Sequence, residues 1–219
     1  MMFLIKAVLF DLDGTLINTN NLIIESFKYT LRKHLNLELE DKDIVKFFGE
    51  PLDTTLGRFD GENVELLVDT YRAFNKENHD SLARSFEDAI SALKDLKAKG
   101  IKLAVVTSKR RQMAERGLKL FELYDLVDVI ITPEDTLKHK PEGEPALKAC
   151  EILKVDPKDA LMVGDSHYDI VCGKNAGCKT CVVDYTALSL EDIMGYGPDF
   201  KISTLMDILS ILEKNKDIA

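Results

Sequence analysis

Ala7-Val8-Leu9-Phe10-Asp11-Leu12-Asp13-Gly14-Thr15 is a short apolar run that ends on two carboxylates and a glycine. An unbroken apolar run of this length predicts a strand buried on both faces, as in a parallel sheet. The same pattern returns along the chain. Leu103-Ala104-Val105-Val106 precedes Thr107-Ser108-Lys109, and Val127 to Ile131 precedes Thr132-Pro133-Glu134. Leu161-Met162-Val163 precedes Gly164-Asp165-Ser166, and Cys181-Val182-Val183 precedes Asp184. Helical patterns lie between these runs. Ser85 reads as an N-cap, with Phe86, Ala89, Ile90, Leu93 and Leu96 on one face and Gly100 as the stop. Glu144 to Lys154 carries Ala146, Leu147, Cys150 and Leu153 on one face, and Ser203 to Glu213 carries Leu205, Ile208 and Leu212. Alternating strands and helices predict an α/β fold, a Rossmann-like parallel sheet with helices on both faces.

One connection breaks that alternation. From Leu16 to Arg84, about seventy residues, no convincing strand appears, where a strand-to-helix connection is normally a handful. Helical patterns cover Leu22 to Leu35, Asp43 to Phe48 and Val64 to Phe74, with turn signals at Gly49-Glu50-Pro51-Leu52 and Asp60-Gly61. The expected organisation is a core of residues 1–16 and 85–219, with a small all-helical cap, residues 17–84, inserted after the first strand and sitting over the sheet. Phe47 and Phe48 are expected in the core of that cap.

Composition limits the function. The chain has 219 residues and a formal net charge of −9, which argues against a general nucleic-acid binder and against a polybasic membrane-surface protein. A small anionic substrate stays open, because local cations or a metal can reverse the field in one pocket. Met1 to Ile5 is too short for a secretory apolar region, and no apolar run is long enough to span a membrane, so a cytoplasmic protein is expected. Cys150, Cys172, Cys178 and Cys181 are too few for a disulfide scaffold. The single C-x-x-C leads into a strand pattern rather than a helix, so buried thiols are expected.

The polar residues after the strands carry the chemistry. Ligands of an open parallel sheet bind at the carboxyl ends of its strands. Asp11, Asp13 and Thr15, then Thr107, Ser108 and Lys109, then Asp165, Ser166 and Asp169, would meet around one crevice. Crowded carboxylates repel one another unless a cation sits among them, and Mg²⁺ suits oxygen ligands. The lysines then suggest an anionic substrate, a phosphate above all. Asp11 and Asp13 share a face if the strand persists, and Asp165 and Asp169 share one if a helix starts there. Gly14 and Gly164 would let backbone approach a phosphate closely. His34, His79 and His139 are expected to be structural or solvated, and Arg110 and Arg111 to be a solvated helix start. Ser166, His167 and Tyr168 are expected as turn or cap-facing residues rather than catalysts.

Asp11-Leu12-Asp13-Gly14-Thr15-Leu16 resembles the nucleophile motif of the haloacid dehalogenase superfamily, in its DxDGT phosphatase branch. Thr107 after a strand, Lys140 before Pro141, and Gly164-Asp165-Ser166-His167-Tyr168-Asp169 follow in that superfamily's order. The resemblance spans essentially the whole chain. It implies a Rossmann-like core with a helical cap, and a phosphohydrolase acting on a small phosphorylated metabolite. Asp11 would form an aspartyl-phosphate, and Asp13 would serve as general acid and then base. Mg²⁺ would be held by Asp11, the Asp13 backbone carbonyl and Asp165, with Asp169 behind them. Thr107 and Lys140 would hold the transferring phosphoryl oxygens, with Gly14 and Ser108 in support. A monomer or homodimer is expected.

Gly49-Glu50-Pro51-Leu52 resembles the substrate-facing turn of phosphoglycolate phosphatases and related bacterial pyrophosphatases. Val182-Val183-Asp184-Tyr185-Thr186 departs from the valine-x-x-glycine ending of the former and is closer to the latter. Gly143 departs from the proline or polar residue often found after the motif lysine, which bears on the geometry of that loop. A β-phosphoglucomutase-like isomerase shares the core motifs and would differ in the cap. A non-hydrolytic phospho-acceptor module, the alternative of another class, lacks the D-x-D-G-T order.

Overall fold

The computed structural model describes residues Leu4 to Lys214. Part of the Met1 to Ile5 stretch, Met1 to Phe3, lies outside the described residues. Six parallel strands form one sheet in the order β5-β4-β1-β6-β7-β8. They are β1 Ala7–Phe10, β4 Lys102–Val106, β5 Val129–Ile131, β6 Ala160–Gly164, β7 Lys179–Val183 and β8 Phe200–Ile202. The predicted runs form the first five. β8 is the addition: its three residues alternate half-buried, exposed and buried, as a short edge strand does, and three residues are too few to show a period.

Sheet register explains why the core forms where it does. β1 lies between β4 and β6, with Ala7 opposite Lys102 and Ala160, and Phe10 opposite Val105 and Val163. All four β1 side chains are fully buried. Alternate residues serve opposite faces. Ala7, Leu9, Ala104, Val106 and Met162 join one apolar cluster with residues of α7 Glu144–Leu153 and α8 His167–Ala176. On the other side, α5 Ala89–Ala98 contacts β4 and α10 Asp207–Lys214. Covering both faces is what an all-parallel sheet requires. Among the described residues, no helix is long and apolar enough to cross a membrane.

Local chemistry sets the helix ends, and it corrects two readings. Ser85 is not an N-cap: it belongs to a two-residue strand, β3 Arg84–Ser85, and α5 begins after Asp88. The Asp88 carboxylate instead accepts from the Leu205 and Met206 N–H groups, at 2.6 and 3.3 Å, and so ties the start of α5 to the approach to α10. Gly100 ends α5 with φ +77°, a left-handed conformation that suits glycine. In α7 the buried stripe is Ala146, Ala149, Cys150 and Leu153, and Leu147 falls off it at 44% exposure. The four cysteines are buried free thiols.

The chain divides into two compact units, residues 1–17 with 85–219, and residues 18–84. The second is helical: α1 Asn20–Leu35, α2 Asp41–Val45, α3 Leu52–Gly57 and α4 Val64–Leu82. Short strands β2 Ile17–Asn18 and β3 pair where the chain passes from one unit to the other. α4 runs well past Phe74, and Leu52 opens a helix that the turn signal concealed. Within this unit α1 packs on α4. Phe27 meets Tyr71 edge-on, with ring centres 4.9 Å apart, and Phe47 lies at 6.0 Å. Phe48 is buried. The buried Ser26 hydroxyl donates to the Leu22 carbonyl and accepts from the Asn75 amide, so its polarity is satisfied inside the bundle. His34 bonds Thr70 at 2.8 Å across α1 and α4.

Candidate active site

The three central strands deliver the site. Asp11 follows β1, Thr107 follows β4 and Asp165 follows β6. The ladder continues one residue into each neighbouring loop: the Asp11 N–H donates to the Val163 carbonyl at 2.8 Å, and that of Thr107 to Ile131 at 3.0 Å. Asp11, Thr107 and Asp165 are all buried. After Asp11 the chain folds back tightly, with the Gly14 N–H donating to the Ile17 carbonyl and Gly14 at φ +80°. A side chain on Gly14 would put its Cβ 2.2 Å from Asp165 Oδ2, so only glycine lets these two loops meet. Gly164 does the same for Asp169, whose Cβ and Cγ lie 2.2 Å from the Cβ position.

Lys140 is the electrostatic centre. Its buried ammonium donates to Asp11 Oδ1 at 2.6 Å and to Asp169 Oδ1 at 2.7 Å. Asp169 Oδ2 accepts from the Ser166 N–H and hydroxyl, and Ser166 and Asp169 close a capping box at the start of α8. Both oxygens of Asp169 are therefore engaged. Asp11 keeps Oδ2 free of any ion pair or hydrogen bond among the described residues. Gly143, in the loop that carries Lys140, has its Cβ position 2.7 Å from the Ala176 nitrogen. That close approach to the end of α8 accounts for glycine where the family often has a larger residue.

A second lysine completes the arrangement. Lys109 donates to Asp13 Oδ1 at 2.7 Å, and its N–H donates to the Thr107 hydroxyl at 3.1 Å. Burial pushes the Asp11 carboxyl up to about 7; Lys140 opposes this, and Asp169 and Asp13 add to it. Burial and the Asp169 and Asp11 charges push Asp165 well above the carboxylate range. Burial works against the Lys140 ammonium, yet Asp11 and Asp169 together outweigh it and hold its proton more tightly.

Carboxylate oxygens of Asp11, Asp165 and Asp169 lie within 4.8 Å of one another. The residues fit a hard dication: three buried acids crowd together, and among the described residues the Asp165 carboxylate has no ion pair or hydrogen bond. The structure thus brings together Asp11, Asp165, Asp169 and Lys140, and separately pairs Asp13 with Lys109. The Asp13 carboxylate stands outside the acid cluster, and Ser108 is exposed. Among the described residues the buried Thr15 hydroxyl has no hydrogen-bond partner. Arg111 pairs with Asp135 and Glu115.

Two supporting residues were not singled out for the site from sequence. The Tyr185 hydroxyl donates to the Thr15 carbonyl at 3.0 Å, and the Thr186 hydroxyl to the Asp165 carbonyl at 2.7 Å. Both follow β7, whose end was read only for its family ending. Their signal was a polar pair after a buried strand, the same signal that marked the acids. Lys109 was placed at the crevice with no partner given; it stands two residues after Thr107, as Asp13 stands two after Asp11.

Residues 8–183 match the family described as haloacid dehalogenase-like hydrolase. A Clostridium perfringens protein named "Putative pyrophosphatase PpaX" is 53% identical over 211 residues, covering 96% of this chain and 99% of that one. A Bacillus thuringiensis protein named "Pyrophosphatase PpaX" is 44% identical over 208 residues, covering 95% and 96%. A solved Streptococcus pneumoniae hydrolase of the haloacid dehalogenase-like family superposes with a TM-score of 0.86 over 94% of this chain and 98% of that one, at 23% identity, a likeness of fold.

Proposed function

The chain belongs to the haloacid dehalogenase-like hydrolase family, and we propose that it is a magnesium-dependent phosphohydrolase whose substrate is pyrophosphate. The observation that carries phosphoryl transfer is the buried Lys140 ammonium shared by Asp11 and Asp169 beside the buried Asp165 carboxylate. Pyrophosphate is supported by the 53% identity to a protein named for that activity. A small phosphorylated metabolite such as phosphoglycolate is the wider class.

In this reading Asp11 Oδ2 attacks phosphorus while Lys140 holds Oδ1 and fixes the carboxylate plane. The P–O bond to the leaving phosphate breaks, and Asp13 donates a proton to that oxygen. Asp13 then takes a proton from water, which attacks the aspartyl-phosphate and returns free Asp11 and a second phosphate. Thr107 and Lys140 offer donors to the transferring oxygens, where charge gathers. Mg²⁺ held by Asp11, Asp165 and the Asp13 carbonyl would neutralise phosphoryl charge and the crowding of the acids. Asp169 acts through others, by holding Lys140 and the Ser166 turn.

A phosphate-release panel of pyrophosphate, phosphoglycolate, sugar phosphates and p-nitrophenyl phosphate tests this. Pyrophosphate should give the highest kcat/KM, and Asp11→Asn should abolish turnover on every substrate while the protein stays folded. Turnover by Asp11→Asn would sink the nucleophile assignment. Sugar-phosphate isomerisation with little phosphate release would mark a mutase. A phospho-protein without multiple turnover would mark a signalling module.

A further inference from the structure

The two lysines of the site are divided between its two working carboxylates. Lys140, buried, serves Asp11, the group that meets the phosphorus. Lys109, at the less enclosed edge, serves Asp13, with side-chain exposures of 12% and 23%. Asp13 is the group that meets the leaving oxygen, so the Lys109 ammonium lies on the leaving-group side of the reaction. Among the described residues its partners are Asp13 and, through its backbone, Thr107.

We propose that Lys109 is a specificity-determining residue that selects substrates whose leaving group is itself an anion, above all the second phosphate of a phosphoanhydride. This rests on the reading of Asp13 as the residue that faces the leaving group, and it deepens the pyrophosphate proposal. An anionic leaving group arriving at Asp13 offers the ammonium a second partner and compensates the charge it brings beside a carboxylate. A neutral leaving group gives the ammonium nothing to bind and leaves it on Asp13. Lysine suits this better than a fixed fork, because its compact charge on a flexible stem can move between two acceptors. The site then reads one phosphate through Lys140 and the other through Lys109.

The experiment is inhibition of p-nitrophenyl phosphate hydrolysis in the Mg²⁺-loaded protein by two probes. Imidodiphosphate, a non-hydrolysable pyrophosphate analogue, would occupy both positions; inorganic phosphate would occupy the transferring position. Lys109→Met should weaken imidodiphosphate at least tenfold and change inorganic phosphate less than twofold. Lys109→Arg, which keeps the charge, should bring imidodiphosphate back to within about threefold of the parent protein. Lys109→Gln takes the place of the methionine variant should that one not fold. Calorimetric titration of both probes into the same proteins gives an independent binding readout. Equal weakening of both probes, or none for imidodiphosphate, overturns the proposal. The pyrophosphate reading fails separately, when the unmodified protein turns over pyrophosphate no better than p-nitrophenyl phosphate.

Discussion

Replacing Lys140 with methionine removes one charge and leaves two buried carboxylates facing each other's field. At 2.6 and 2.7 Å, and with an effective dielectric of about 20, each pair attracts by about 6 kcal/mol. Burying three ions costs several kcal/mol apiece, which offsets most of that gain. Removing one partner from such a group typically costs about 3–5 kcal/mol, because the remaining charge stays buried and unpaired. The cost should depend on pH, and the sign follows from Asp11. Its folded-state pKa of about 7 lies above the ordinary carboxylate value, so its contribution to stability is present at low pH and is lost as pH rises through 7. Losing Lys140 removes a stabiliser of the ionised form and moves Asp11 higher still. At pH 5.5 Asp11 is neutral in both proteins, and the substitution costs about 2 kcal/mol through Asp169. At pH 8.5 the parent protein holds an ionised Asp11 against its ammonium, and the loss should reach about 3–5 kcal/mol. Urea denaturation in chelator at both pH values measures this. The double variant Lys140→Met/Asp169→Asn should regain part of the stability, because it removes one unpaired charge. A penalty that is equal at the two pH values, or below about 1 kcal/mol at pH 8.5, would refute the reasoning.

Mg²⁺ binding to the ligand-free protein should release a proton near neutral pH, because Asp11, at about 7, must ionise to bind it. Calorimetry at pH 6 in two buffers of different ionisation heat should then give different apparent enthalpies, and identical values would count against it. Gly164→Ala puts a methyl 2.2 Å from Asp169 Cβ and should cost about 1–3 kcal/mol together with most of the activity. Gly100→Ala, where a Cβ meets nothing within 4 Å but φ is +77°, should cost about 1 kcal/mol and leave activity intact; thermal melts and turnover compare the two. Phe27→Ala opens the interior of the helical unit and should cost it about 3–5 kcal/mol, seen as faster proteolysis within residues 18–84.

Strands and their polar endings were legible because both signals are local. A fully buried parallel strand needs an unbroken apolar run, and Val8 or Leu161 has nowhere else to go. The residue that follows leaves the sheet at its carboxyl end, so Asp11, Thr107 and Asp165 could be placed from position alone. Helix ends were less legible where tertiary contacts compete. Ser85 has the chemistry of an N-cap, but strand pairing claims it, and Asp88 is recruited by the backbone of Leu205 and Met206. Edge strand β8 and helix α3 are too short for a period to emerge. Partner choice was the least legible. Lys140 reaches Asp169 across 29 positions and Asp11 across 129, distances over which only the topology decides who meets whom.

The chain's net charge of −9 and the polyanionic substrate proposed for it are reconciled inside this site. Asp11, Asp13, Asp165 and Asp169 bring four carboxylates, and Lys109 and Lys140 bring two ammonium groups. With all six ionised, the local balance is −2 and would repel a phosphate. Burial and mutual repulsion raise Asp11 and Asp165 above the ordinary carboxylate range, which lessens that imbalance. A single dication held among the acids would bring the six ionised groups to neutrality. In the proposed reading the ammonium of Lys140 would lie next to the phosphorus and that of Lys109 next to the departing oxygen, so a neutral site would still present positive charge at each end of an anhydride. Acidic residues exposed elsewhere on the surface are screened by solvent and salt within about 10 Å.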